Sequence, residues 1–196
     1  MLTLDKKLNK RKEIAKSTCS LFIEKGYVNI SISEIAKNAQ IGKGTVYEYF
    51  KNKEDIVFEL MSCLQDNYDN KLKDKLSKTS DIKEKIFCLF DIFLSDDKTI
   101  LIQKKIYREF LAIYLNNPTQ EIIEYQNIMK DKYYKILEKI FLEAINDKII
   151  ILESKKFISS VFATIEGYFI SNASKDEIMD YIDNLLSLLE YKKGKI

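Results

Sequence analysis

The chain of 196 residues contains no histidine, one proline, five glycines and three cysteines. Each scarcity excludes something. Cys19, Cys63 and Cys88 stand far apart, are odd in number and have no histidine to join them. Neither a metal site nor a disulfide framework is therefore expected, and no metal or other cofactor is called for. Each cysteine falls within an apolar helical pattern and reads as a small buried hydrophobe. Missing histidine also removes the commonest catalytic base. With no glycine-rich phosphate loop and no serine or cysteine nucleophile beside a base, an enzyme is not expected. Three of the five glycines lie in the first 44 residues, and the remainder is almost free of turn punctuation, which favours long helices. Isoleucine favours strands by propensity, but here it recurs at three- and four-residue intervals, so the period argues for helix.

The lysine-rich start has no apolar stretch behind it, so no secretory leader is expected and a cytoplasmic location is. Between Lys156 and Lys175 the only charge in 18 residues is Glu166, close to the length that crosses a bilayer. That span also carries Ser159, Ser160, Thr164, Ser171, Asn172 and Ser174, which with a central carboxylate make insertion unfavourable. It reads as a helix buried in protein, with no membrane partner. An apolar content of 46% supports a sizeable core.

The net charge of +2 conceals an asymmetry. Residues 1–53 hold 11 Lys/Arg against 5 Asp/Glu, a net of +6, while the rest holds 21 against 25, a net of −4. A polyanion partner for the N-terminal part follows. There a first helix is expected from about Leu8 to Lys25, burying Ile14, Ala15, Thr18, Leu21 and Phe22, with Gly26 at its C-terminal cap. Ser31-Ile32-Ser33-Glu34 matches the S-x-x-E capping box, opening a helix of about eight residues that buries Ile35, Ala36 and Ala39. After a tight connection at Gln40-Ile41-Gly42 comes "IGKGTVYEYF", residues 41–50. Val46 and Phe50 share one helical face, and Gly44, Thr45, Tyr47 and Glu48 fall opposite, on a small, hydroxyl-rich outer face. Asn52 caps a fourth helix whose first turn holds Glu54 and Asp55. Short helices, two of them joined by a few-residue turn, describe a helix-turn-helix whose second helix enters a DNA major groove. Gly44 permits close approach to the backbone, Thr45 and Tyr47 offer hydroxyls to phosphate, and Lys43 reaches a base edge. The plainer alternative is that Tyr47 and Tyr49 only cover the core.

Residues 31–57, "SISEIAKNAQIGKGTVYEYFKNKEDIV", resemble the DNA-binding signature of TetR-family transcriptional regulators. The resemblance implies phosphate contacts from Thr45, Tyr47, Tyr49 and Lys53, and base-facing positions at Ser33, Lys43 and Gly44. Ser31, at the same helix start, completes the DNA-binding set. Glu48 departs from that pattern, because an acid repels phosphate unless it accepts from a cytosine amine. The implied fold is all-α: a three-helix helix-turn-helix domain over residues 1–52 and a larger helical ligand-binding and dimerisation domain over 53–196, about nine helices in all.

Periodicity in the second part places helices near 53–76, 82–95, 99–116, 119–146, 154–172 and 176–191. "IFCLFDIFL" at 86–94 is apolar nearly all round, so its helix should be enclosed. Half-polar and aromatic candidates for a ligand pocket are Tyr107, Arg108, Tyr114, Tyr125, Gln126, Met129, Tyr133 and Glu166. The last two helices fit the family's dimerisation helices, with Phe157, Val161, Phe162, Ile165, Phe169, Tyr181, Leu185, Leu188 and Leu189 as interface candidates; the alternative is that these complete a monomer core. The expected protein is a homodimeric repressor of a near-palindromic double-stranded operator, released by a small apolar or amphipathic effector. Its rivals are a helical interaction protein and a regulator without a small-molecule effector.

Overall fold

The structure is a computed structural model and describes residues 4–116, 118–146 and 155–189. Among these there are helices and no strand. In chain order they are α1 (Leu4–Ser17), α2 (Cys19–Lys25), a single 3-10 turn (Tyr27–Asn29), α3 (Ile32–Asn38), α4 (Lys43–Tyr49), α5 (Lys53–Ser77), α6 (Ile82–Leu94), α7 (Lys98–Asn116), α8 (Gln120–Asn146), α9 (Lys155–Ser171) and α10 (Lys175–Leu189). The all-α expectation holds, with one correction inside it.

The first helix is not continuous. It breaks at Thr18, whose N–H and hydroxyl both turn back to the Ala15 carbonyl, at 3.1 and 2.6 Å. Ser17 likewise donates to the Ile14 carbonyl at 2.7 Å. Two adjacent hydroxyl side chains thus compete with the main-chain ladder and tighten the turn. The Ser17 carbonyl freed by this break accepts from the Asn38 side chain on α3.

The residues group into two compact units, Met1–Asn70 with Asp97–Ile122, and Lys71–Asp96 with Ile123–Ile196. In the first, Ile14, Phe22, Ile35, Val46, Ile56, Val57, Ile106 and Phe110 are buried to 3% exposure or less. Helix α7 belongs to this unit and grips the end of α2. Lys105 donates to the Ile23 carbonyl, and the Glu109 carboxylate accepts the Tyr27 N–H at 3.1 Å. Gly26, between them, has φ +70° and ψ 155°, a region open in practice only to glycine. In the second unit α10 lies along α6, and the Phe90, Phe93, Tyr168, Phe169 and Tyr181 rings meet at centroid distances from 4.6 to 6.4 Å. The apolar α6 is enclosed as expected, with Ile86, Leu89, Phe90, Ile92 and Phe93 buried.

Caps fix the helix starts. Asp81 and Asp97 accept amides from the first turns of α6 and α7. Ser174 and Glu177 form a second reciprocal capping box ahead of α10. That box has the same S-x-x-E spacing as Ser31–Glu34, so the sequence carried the signal without its being singled out. No helix among the described residues is long and apolar enough to cross a membrane.

Gly26 gives the first test. A Cβ there would stand 3.2 Å from Glu109 Oε1 and force a backbone conformation that L residues avoid. Gly26→Ala should destabilise the chain by about 1–3 kcal/mol, read as a lower urea midpoint at unchanged slope. An unchanged midpoint would contradict the glycine requirement.

Candidate nucleic-acid interface

The interface builds up from α3. Its N-cap, Ser31, accepts the Glu34 N–H at 3.2 Å, while Glu34 Oε2 accepts the Ser31 N–H at 2.8 Å and the Ser31 hydroxyl at 2.9 Å. Glu34 Oε1 takes Lys25 at 2.7 Å. The lysine first, then the Ser31 N–H and hydroxyl, hold this carboxyl at about 2, against an ordinary 4.5. The expected capping box is thus present, and it engages the Ser31 hydroxyl within the protein. Ser33, two residues after the cap, is exposed.

Helix α3 closes with the Ile41 N–H on the Ala36 carbonyl at 3.0 Å and the Gln40 N–H on the Lys37 carbonyl at 3.2 Å. That is a Schellman arrangement, and it carries Gln40 at φ 55°, where glycine is usual. The turn delivers the chain to α4, whose N-cap, Gly42, offers no side chain. Val46 (0% exposed) and Phe50 (2%) face inward, as the spacing required. Lys43, Gly44, Tyr47 and Glu48 are exposed, whereas Thr45 and Tyr49 are half-buried. A Cβ on Gly44 would meet nothing within 4 Å, so the backbone there is open to an approaching group. Asn52 Oδ1 accepts the Asp55 N–H at 2.8 Å, starting α5.

Lys53 has a role that spacing could not show. Its ammonium donates to the Val28 and Ile30 carbonyls at 3.0 and 2.8 Å and lies 5.3 Å from the centre of the Tyr27 ring. Of its three N–H bonds, one is left over from the two carbonyls. Arg11, which the sequence did not single out, is the other missed residue: it donates to Glu59 on α5 and to the Tyr49 carbonyl at the end of α4.

The pocket candidates fall in both compact units. Tyr107, Arg108 and Tyr114 lie half-buried on α7 in the first unit, with Tyr107 stacked on Phe110 at 5.9 Å. Tyr125, Gln126, Met129, Tyr133 and Glu166 lie in the second. Of these the structure joins Gln126 and Glu166, 3.1 Å apart. Burial pushes the Glu166 carboxyl up, opposed by Lys130 and the Gln126 hydrogen bond. Among the dimer candidates, Val161, Phe162, Phe169 and Leu185 are buried within the chain itself, and Ile165 and Tyr181 are half-buried. The side chains of Phe157, Leu188 and Leu189 lie outside the described residues. The three thiols are all pushed up by burial.

Two short helices joined at a tight turn, the second with a buried apolar stripe and an exposed polar face, make a helix-turn-helix DNA-binding protein. Comparison with known proteins agrees. The profile of bacterial regulatory proteins of the tetR family matches residues 14–60. The fatty acid metabolism regulator protein of Bacillus subtilis is 25% identical over 95% of each chain. A TetR-family regulator from Cytophaga hutchinsonii superposes with a TM-score of 0.76 at 19% identity, covering 98% of this chain and 100% of that one. AibR, solved in complex with isovaleryl coenzyme A and operator DNA, superposes at 0.58 with 18% identity over 92% and 98%. Residues 14–60 therefore match the DNA-binding segment of the tetR family, and over nearly its whole length the chain is similar to a curated regulator protein.

Acid should loosen the α3 start. Because the folded Glu34 carboxyl titrates near 2 rather than 4.5, its contribution is whole above 4.5 and fades as pH falls toward 2. Urea unfolding of the wild type and Glu34→Gln at pH 6, 4.5 and 3.5 checks this. The stability gap between them should narrow below 4.5, and a constant gap would show that Glu34 is not held in its charged form.

Proposed function

We propose that this regulator is a homodimeric repressor that binds a near-palindromic operator and is released by a small apolar or amphipathic effector. The observation that carries the reading is the exposed polar face of α4, set on a rigid apolar stripe in the basic part of the chain. Lys43 and Gly44, with Ser33 from α3, face bases; Thr45, Tyr47, Tyr49 and the remaining N–H of Lys53 face phosphates. Residues 1–52 form the DNA-reading part and 53–196 the effector-binding and dimerising part. Two copies related by a two-fold axis would present their α4 helices about 34–36 Å apart, one turn of DNA. Selection of bound duplexes from random DNA tests the whole reading, because a palindrome is its required outcome.

For the effector, the Gln126–Glu166 pair supplies a polar point among otherwise apolar helices. The name of the B. subtilis relative and the isovaleryl coenzyme A bound by AibR both favour an acyl compound. Tyr107, Arg108, Tyr114, Tyr125, Met129 and Tyr133 remain the other candidates.

For the dimer, the outer face of α9 is informative. Ser159, Ser160, Ala163, Ile170 and Ser171 are exposed and none is charged, whereas α10 exposes Asp176, Glu177, Asp180 and Asp183. A Cβ at Gly167 would meet nothing within 4 Å. An exposed, uncharged, small-residue face suits close approach of a second α9. On the opposite side of α9 lie Ile165 and the buried Val161, Phe162 and Phe169, while Tyr181 and the buried Leu185 are on α10.

Two outcomes follow. Lys53→Ala should weaken binding to all duplexes alike and lower the salt slope by about one, whereas Lys43→Ala should cost about 1–3 kcal/mol on the selected duplex alone. Equal losses on every duplex would remove Lys43 from base reading. Ala163→Arg, at a position exposed in the single chain, should leave the helical content unchanged and give a monomer by light scattering; a dimer of wild-type affinity would move the interface elsewhere.

A further inference from the structure

We propose that Arg11 sets the angle at which α4 meets DNA, acting as a positioning residue with no contact to base or phosphate. It lies ahead of the segment 14–60 matched by the family profile. Its charge, in the basic start of the chain, would otherwise assign it to the phosphate backbone. The inference rests on α4 being the reading helix.

Three contacts of one guanidinium carry it. The last carbonyls of a helix have no partner within the helix, and the terminal one of α4, on Tyr49, accepts from an Arg11 terminal nitrogen 38 residues away in sequence. The next side chain, Phe50, presents its ring to the guanidinium, whose carbon stands 4.4 Å from the ring centre. Arg11 Nε donates to Glu59 on α5 at 3.0 Å, with side-chain exposures of 24% and 14% for the two partners. One planar group therefore ties α1, the exit of α4 and the second turn of α5 together. The planar guanidinium fixes the directions of both donations at once and can lie over a ring as it does so, whereas the single ammonium of a lysine rotates freely. The cation at the α4 C-terminus also opposes that helix's dipole. With Glu59 as its counter-ion, Arg11 adds little long-range attraction for DNA.

Orientation and attraction are separable. Affinity for the selected duplex and for a scrambled duplex of equal length, each over a range of salt, is measured for the full-length wild type, Arg11→Met and Glu59→Gln. Arg11→Met keeps the stem over Phe50 and loses the polar contacts. Its preference for the selected duplex should fall about tenfold, the worth of one good base contact, while scrambled-duplex affinity and salt slope stay as in the wild type. Glu59→Gln keeps the shape and removes a negative charge. Simple attraction predicts tighter binding to both duplexes, whereas positioning predicts a preference lowered about threefold as the charged hydrogen bond weakens. A uniform loss in Arg11→Met with a slope reduced by about one would make Arg11 a phosphate contact and overturn the proposal, as would an unchanged preference in Glu59→Gln. If Arg11→Met does not fold by circular dichroism, Glu59→Gln decides alone. A wild type that prefers no duplex would instead bring down the DNA-reading assignment itself, and this inference with it.

Discussion

Helix α4 is seven residues long, and everything in the DNA-reading part depends on the burial of its one apolar stripe. A helix that short does not persist in water, because the cost of its first turn is never recovered by propagation. Val46 and Phe50, buried at about 1.5–3 kcal/mol each, supply what length cannot. Their burial also decides which residues remain outside. With two positions fixed inward, the 100° step turns Gly44, Tyr47 and Glu48 toward solvent, and Lys43 is exposed because it stands at the first position of the helix. The elements around α4 then restrict its remaining freedom: the Schellman turn at Gln40 sets its entry, Arg11 holds its last carbonyl, and the Asn52 cap directs the chain away into α5.

The basic character of the first 53 residues is partly turned inward. Arg11 and Lys53 each donate to main-chain carbonyls, and Lys25 is paired with Glu34. These cations satisfy polar groups left open where short helices end and begin. A fold made of several short helices has many such ends. It therefore needs cations as structural parts as well as for its polyanion, and a simple charge count merges the two uses. Lys43, exposed at the start of α4, is the one we propose for the second use.

The sequence made the DNA-reading part legible because its signals are local. A serine three residues before a glutamate, a glycine after a helix, and two apolar residues four apart all act within one or two turns, so spacing alone recovers them. What escaped was long-range or depended on competition. The break at Thr18 was hidden because Ser17 and Thr18 fit a helical pattern until their hydroxyls turn to the backbone. The carbonyl partners of Lys53 and Arg11 are 23 to 38 residues away, where no periodicity reaches. For α9, periodicity showed an apolar stripe without saying what covers it. Helix α6 takes part of that stripe for itself, through Phe93 on Phe169, and the face left over, with Ser159, Ser160, Ala163, Ile170 and Ser171, is uncharged and carries no ring.

Helix α7 places a constraint on the order of events during synthesis. The first compact unit is discontinuous: residues up to Asn70 are completed only by Asp97–Ile122. Its fastenings, Lys105 on the Ile23 carbonyl and Glu109 on the Tyr27 N–H, each join residues 82 apart. At about 5–20 residues per second, the ribosome exposes α1 to α4 for several seconds before α7 exists to grip them. During that interval the nascent reading helices have their local caps but not their long-range clamp. A chain halted before Lys98 would leave the end of α2 without its partner helix, so the first compact unit becomes complete only once more than half of the polypeptide has been made.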